Sequence, residues 1–327
     1  MLRRTFLALA ATAALSSGAW AQDVKTLNFG FISTESSTNL KAAWQPLIDD
    51  LSKAIGVPVK PFFASDYAGI IEGMRFNKVQ LGWFGNKSAM EAVDRAQGEV
   101  FASVVDKDGN PGYWSLLLVN KDSNLQTLDD VLKNGKQLSY GAGDPNSTSG
   151  TLVPGYFLWG ANHIEPKTFF KSVRAANHEA NLLSVINKQV DVAINNTEML
   201  ERYRRNTGKD ATESVRILWK SPLIPADPMV VRSDVPADIK QRIQTFFVNY
   251  GTGPDAERQQ KILANLTYKG FRASSNAQLV PIRQMELAKT KLGIERDTTL
   301  SEADKKAKVA ELDRQLAELD KLVAKQQ

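Results

Sequence analysis

The segment Gly141-Ala142-Gly143-Asp144-Pro145-Asn146-Ser147-Thr148-Ser149-Gly150 is the part of this chain best equipped to hold an anion. It follows a strand pattern and precedes an apolar helical one. The first N–H groups of a helix lack intrahelical partners, and the peptide dipoles add partial positive charge there. Three consecutive hydroxyls supply further donors, and Gly150 lets a ligand approach the backbone. Such a cradle suits a tetrahedral or carboxylate anion. The same residues also read as a helix capped by Ser147 or Ser149. Pro154 kinks any helix that runs through it. No Gly-Lys-Ser/Thr follows, so the segment is not a P-loop.

Other polar side chains stand where strand-end loops are expected. Tyr67 opens a helix behind Asp66. Tyr113 follows Asp108-Gly109-Asn110-Pro111-Gly112. His178 lies just before a helix, Glu198 follows a strand ending near Ile194, and Asp227 lies in Pro225-Ala226-Asp227-Pro228. Open α/β sheets bind ligands beyond the carboxyl ends of their strands. Taken singly, each residue reads as a cap or surface group; their shared placement points to one cleft. A hydrolytic Ser-His-Asp reading lacks a Gly-x-Ser-x-Gly elbow, and nothing in the sequence turns His178 toward Ser147. No catalytic residue is assigned. The chain has no Cys and two His. Thiol catalysis and Cys- or His-rich metal sites are excluded, and no metal or cofactor is expected.

The elements that position these groups alternate. Strands are expected at residues 26–32, 58–63 and 79–84, with helices at 38–55, 67–76 and 88–96 between and after them. This βαβαβα order argues a mostly parallel sheet with helices on both faces. Strands follow at 115–119, 138–141, 190–194, 215–219 and 229–232, with helices at 151–160, 180–188 and 239–250. Two strand-like crossings, at 113–120 and 223–232, suit one lobe inserted into another. Lobe 1 is expected at 22–115 and 225–300, lobe 2 at 116–224. Over 301–327, Val309, Leu312, Leu316, Leu319 and Val323 recur at heptad spacing. That stripe serves either a helix packed on its own chain or a homodimer.

The N-terminus carries Arg3 and Arg4, an apolar run over 6–15, and Ala19-Trp20-Ala21, which together read as a signal peptide cleaved after Ala21. The run is shorter than the ~20 residues a spanning helix needs. Arg3-Arg4-Thr5-Phe6-Leu7 also resembles a twin-arginine signal, so the Sec and twin-arginine routes both stay open. The formal net charge is +5. Its basic residues are dispersed, without the basic stripe and interleaved aromatics of a nucleic-acid binder.

At Gly143 to Gly150 the chain resembles the periplasmic substrate-binding component of phosphonate ABC importers. The resemblance runs through Leu27-Asn28-Phe29-Gly30, Ile32-Ser33-Thr34-Glu35-Ser36, Asp66-Tyr67-Ala68-Gly69-Ile70-Ile71 and Gly73-Met74-Arg75-Phe76-Asn77-Lys78-Val79. It continues in Ser88-Ala89-Met90-Glu91-Ala92-Val93-Asp94-Arg95, Pro111-Gly112-Tyr113-Trp114-Ser115, Lys220-Ser221-Pro222-Leu223-Ile224-Pro225 and Phe271-Arg272-Ala273-Ser274-Ser275. It implies a two-lobe α/β periplasmic-binding-protein fold (type II), a periplasmic location, and delivery to a permease without catalysis. It also implies that Ser147, Thr148 and Ser149 hold the phosphonate, with Tyr67, Tyr113 and His178 as further contacts. Glu198 and Asp227 correspond to acidic residues that grip the amino group of 2-aminoethylphosphonate. Around His178 the chain departs from the expected pattern, with Asn177 where Gly is expected before the His and Ala180 where Thr is expected after the Glu. Two carboxylates beside an anion cradle repel a plain dianion but suit a compact zwitterion. Another oxyanion (phosphite, phosphate or a sulfonate) is the alternative ligand, and a secreted hydrolase the remoter one.

Overall fold

The computed structural model describes residues 25–324. The expected signal peptide, 1–21, lies outside the described residues. Among these, no helix is long and apolar enough to cross a membrane.

The chain begins as the alternation predicts: β1 (Leu27–Phe31), α1 (Ser37–Ile55), β2 (Val59–Phe63), α2 (Tyr67–Arg75), β3 (Leu81–Trp83), α3 (Asn86–Arg95). Helix α1 shows why. Ser36 caps it by accepting from the Asn39 N–H at 3.2 Å, Gly56 ends it at a φ of 68°, and Leu40, Trp44, Leu47, Ile48 and Leu51 are buried along one stripe. Next come β4 (Gly98–Asp106), β5 (Gly112–Tyr113), β6 (Ser115–Asn120), α4 (Leu128–Asn134) and β7 (Ser139–Ala142). Beyond two π-helical segments lie α5 (Pro166–Phe169), β8 (Ser172–Ala175), α6 (His178–Ile186), β9 (Val192–Asn196), α7 (Thr197–Thr207) and β10 (Val215–Lys220). The chain closes with β11 (Ile224–Pro225), β12 (Pro228–Arg232), α8 (Ala237–Asn249), α9 (Ala256–Asn265), β13 (Tyr268–Ala273), α10 (Val280–Arg296) and α11 (Glu302–Ala324).

Two sheets build two lobes. The first has the order β13-β4-β12-β3-β1-β2, the second β10-β6-β9-β7-β8. In β6, Leu116 and Leu118 enter one apolar cluster while Leu117 and Val119 enter another. A strand buried on both faces in this way needs helices on both sides. Neither sheet is mostly parallel, contrary to the expectation. β1 pairs with β2 and β3 in parallel, but β12 and β13 run antiparallel to their neighbours. The second sheet is likewise mixed. The cause is the double crossing. A chain that leaves one lobe and returns lays its return strand against the direction of the first strands.

The crossings meet in a two-stranded ribbon, with Tyr113 opposite Ile224 and Gly112 opposite Pro225. A Cβ on Gly112 would lie 1.8 Å from the Ile224 carbonyl oxygen, so only glycine fits there.

The helix expected at 151–160 is replaced by the π-helical segments Thr148–Leu152 and Gly155–Gly160, on either side of Pro154. Pro154 has no N–H, and its ring clashes with the carbonyl four residues back, so the ladder widens to bonds five residues apart. Leu152 N–H to Ser147 C=O and Ala161 N–H to Tyr156 C=O are two of these. At the C-terminus α10 and α11 pack side by side, with Lys291 to Asp313 at 2.6 Å and Gln284 to Asp320 at 2.7 Å. Val309, Leu312, Leu316 and Leu319 are half-buried along this hairpin.

Candidate functional site

All eight side chains singled out in the sequence line one small cavity between the lobes. Tyr67, the first residue of α2, and Asp227, just before β12, come from the first lobe. Ser147, Thr148, Ser149, His178 and Glu198 come from the second. Tyr113 sits on the crossing ribbon.

The hydroxyl end is built by the turn after β7. Asp144 Oδ1 accepts the Asn146 N–H at 2.8 Å, and Ser147 Oγ accepts the Gly150 N–H at 2.9 Å. The Gly143 N–H reaches the Gly150 carbonyl at 3.2 Å. A Cβ on Gly143 would lie 2.4 Å from the Gly150 Cα, so this closure needs glycine. Asn177 caps α6 by accepting the Ala180 N–H at 2.8 Å, which sets His178 at the helix start. The sequence offers no reason for His178 to face Ser147, yet its Nε2 lies 3.3 Å from Ser147 Oγ and 3.4 Å from Ser149 Oγ. Asn196 Nδ2 donates to Ser149 Oγ at 3.0 Å. Burial, with the Arg202 charge second, pushes the His178 ring down to about 3. It is therefore neutral at neutral pH, and this end of the cavity offers dipoles rather than a cationic side chain.

The opposite end is acidic. Asn196 caps α7 by accepting the Met199 N–H at 2.7 Å, placing Glu198 in its first turn. Arg202, one turn on, donates to Glu198 Oε2 at 3.0 Å. Burial raises the Glu198 carboxyl above its usual range. Asp227 is raised further, by burial and then by the Glu198 charge. Its Oδ1 is buried without a hydrogen-bond partner among the described residues. The same holds for His178 Nδ1, Arg202 Nη1 and Thr34 Oγ1, all on the cavity lining. Buried polar atoms are normally paired, so their gathering around one small space marks it as built for a polar guest.

Contacts across the cleft hold the lobes together around this space. Lys87 N–H donates to Thr148 Oγ1 at 2.8 Å, and Tyr67 N–H to Asp144 Oδ2 at 3.2 Å. Glu179 accepts from Ser36 N–H and Asn39 Nδ2, each at 2.7 Å. Thr34, Asn196 and Arg202 also line the cavity and were not read from the sequence. Arg202 carried one available signal, its spacing of four from Glu198 on a helix. Among the described residues, no group of three or more His, Asp or Glu could hold a metal.

Known proteins share this architecture. Residues 29–279 match the family described as ABC transporter, phosphonate, periplasmic substrate-binding protein. The phosphonates-binding periplasmic protein of Escherichia coli K12 is 52% identical over 298 residues, covering 91% of this chain and 87% of that one. A solved binding-protein component of an ABC phosphonate transporter from Pseudomonas aeruginosa superposes with a TM-score of 0.89 at 49% identity, over 93% of this chain and 99% of that one. A Prochlorococcus marinus protein solved with methylphosphonate gives 0.71 at 25% identity, over 82% and 100%. The chain thus belongs to the family of periplasmic substrate-binding proteins of phosphonate ABC transporters.

Proposed function

We propose that this protein captures phosphonates in the periplasm, 2-aminoethylphosphonate before others, and delivers them to an ABC permease without altering them. In this reading lobe 1 comprises 22–115 and 225–300 and lobe 2 comprises 116–224, and an N-terminal signal peptide is cleaved after Ala21. The carrying observation is the polarity of the cavity, with neutral hydroxyl and imidazole groups at one end and Glu198 and Asp227 at the other. A phosphonate fits the first, and an ammonium two carbons away fits the second.

The Ser147–His178 approach supports capture over hydrolysis. A general base works best with a pKa near the operating pH. His178 is pushed down to about 3, and among the described residues its Nδ1 has no carboxylate to orient it.

Calorimetric titration with 2-aminoethylphosphonate, ethylphosphonate, phosphate and phosphite tests the reading. One-to-one binding, tightest for the aminated ligand, is expected. Stronger binding of phosphate or phosphite than of either phosphonate would move the protein to the alternative oxyanions. A homodimer through residues 301–327 is a separate question, because α10 already half-covers the α11 stripe. Sedimentation of the full chain and of a chain lacking 301–327 decides it, since only a dimer built there loses mass beyond the deleted segment.

A further inference from the structure

Arg202 is the charged residue of the cavity that the candidate set omits. It projects from α7 across the cleft. Its Nη2 bonds Glu198 Oε2 at 3.0 Å, and its Nε lies 3.9 Å from Glu35 Oε1 in the loop between β1 and α1. Its guanidinium carbon sits 4.9 Å from the centre of the Trp83 ring on β3. Glu35 is in turn held by Arg205 at 2.7 Å and Asn206 at 2.8 Å. Glu35 and Trp83 belong to the first lobe, so the guanidinium is clamped from both sides.

Charged or titratable groups face Glu198 from every neighbouring element. They are Arg202 and Glu201 on its own helix, Asp106 at the end of β4 with Lys107 and Asp108 just beyond it, Glu35, Tyr113 on β5, Asp227 before β12 and Tyr268 on β13. At the heart of this cluster, the carboxylates of Glu35 and Glu198 pair with the guanidiniums of Arg202 and Arg205, and Asp227 lies within the field of the Arg202 charge. With these five side chains all ionised, three carboxylates against two guanidiniums leave one negative charge, which a single ammonium balances.

We propose that Arg202 is a positioning residue that keeps Glu198 ionised for the ammonium of the ligand. The proposal rests on the aminophosphonate reading above. A buried carboxylate without a partner takes up a proton rather than stay charged. Without Arg202, one ammonium faces two uncompensated carboxylates, and one of them must bind a proton as the ligand enters.

The test is the affinity for 2-aminoethylphosphonate from pH 6.5 to 8.5 in wild type, Arg202→Gln, Arg202→Lys and the double variant Glu198→Gln/Arg202→Gln. Relative to wild type, Arg202→Gln is expected to lose about tenfold more affinity per pH unit, roughly a hundredfold across this range, because binding takes up about one extra proton. Calorimetry in two buffers of different ionisation enthalpy counts that proton. Comparison with wild type cancels the ionisation of the phosphonate itself. Arg202→Lys keeps a cation in place and is expected to follow the wild-type profile. The double variant has no unpaired Glu198 and is expected to do the same. A profile of Arg202→Gln parallel to wild type overturns the proposal, and so does an extra proton in the double variant. If Arg202→Gln does not fold, proton uptake in Arg202→Lys serves as the contradicting result. Ethylphosphonate separates the two failures. Wild type binding it as tightly as the aminated ligand defeats the aminophosphonate reading itself. Wild-type preference for the amine with unaltered proton uptake in Arg202→Gln defeats only the role of Arg202.

Discussion

The Thr148 hydroxyl accepts the backbone N–H of Lys87 at 2.8 Å, so the turn that forms the hydroxyl end of the cavity is bonded to the first turn of α3 in the other lobe. Thr148 thus stands at the cavity and at the closure contact at once. Replacing it by Val keeps the shape and removes the acceptor. A buried N–H left without a partner costs about 1–3 kcal/mol. Thr148→Val is expected to weaken every phosphonate by roughly tenfold or more, mainly through faster release, as stopped-flow dissociation would show. Loss confined to one ligand class would contradict a role in closure.

The two ends of the cavity are separable by mutation. Ser149 Oγ receives Asn196 Nδ2 and meets the His178 ring. Ser149→Ala is expected to weaken 2-aminoethylphosphonate and ethylphosphonate alike, by about 1.5–3 kcal/mol for a hydrogen bond to a charged group. Glu198→Gln is expected to weaken the aminated ligand by a similar amount. Ethylphosphonate is expected to hold or gain, because the charge that raises Asp227 is removed. Parallel losses in Glu198→Gln would contradict the charge pairing.

His178 makes stability depend on pH in a stated direction. Its folded value, about 3, lies below the ordinary imidazole value of 6.5. The unfolded chain therefore binds a proton that the closed protein refuses. The stability at stake is fully present above pH 6.5 and is lost as pH falls toward 3. By pH 5 this amounts to about 2 kcal/mol. Glu198 and Asp227, raised by burial, act in the opposite sense. The comparison with His178→Gln isolates the histidine. Denaturant unfolding at pH 7.5 and 5 is expected to show a smaller loss in the variant. An equal loss would place the ring in an open, solvated setting.

The cavity was legible in the sequence because its residues stand at the starts of helices and at the crossings, where local signals are strong. Asp66, Asn177 and Asn196 are N-cap types, and each accepts the N–H three residues on. Arg202 carried only its spacing of four from Glu198. In Glu201-Arg202-Tyr203-Arg204-Arg205 it looks like one more surface charge, and only the fold turns it inward to 2% exposure. The mixed sheets escaped for a related reason. Strand direction after a lobe crossing is a long-range property, whereas alternation of strands and helices is local. The α11 stripe has the same spacing whether α10 or a second copy covers it. The π-helical turns come from Pro154, whose disturbance was visible but whose outcome depended on what could absorb it.

The most direct test of the central claim is a crystal structure of the protein with 2-aminoethylphosphonate bound. The account predicts the phosphonate oxygens against Ser147, Thr148, Ser149 and His178, with the ammonium between Glu198 and Asp227. The reverse orientation, or a ligand outside this cavity, would contradict it.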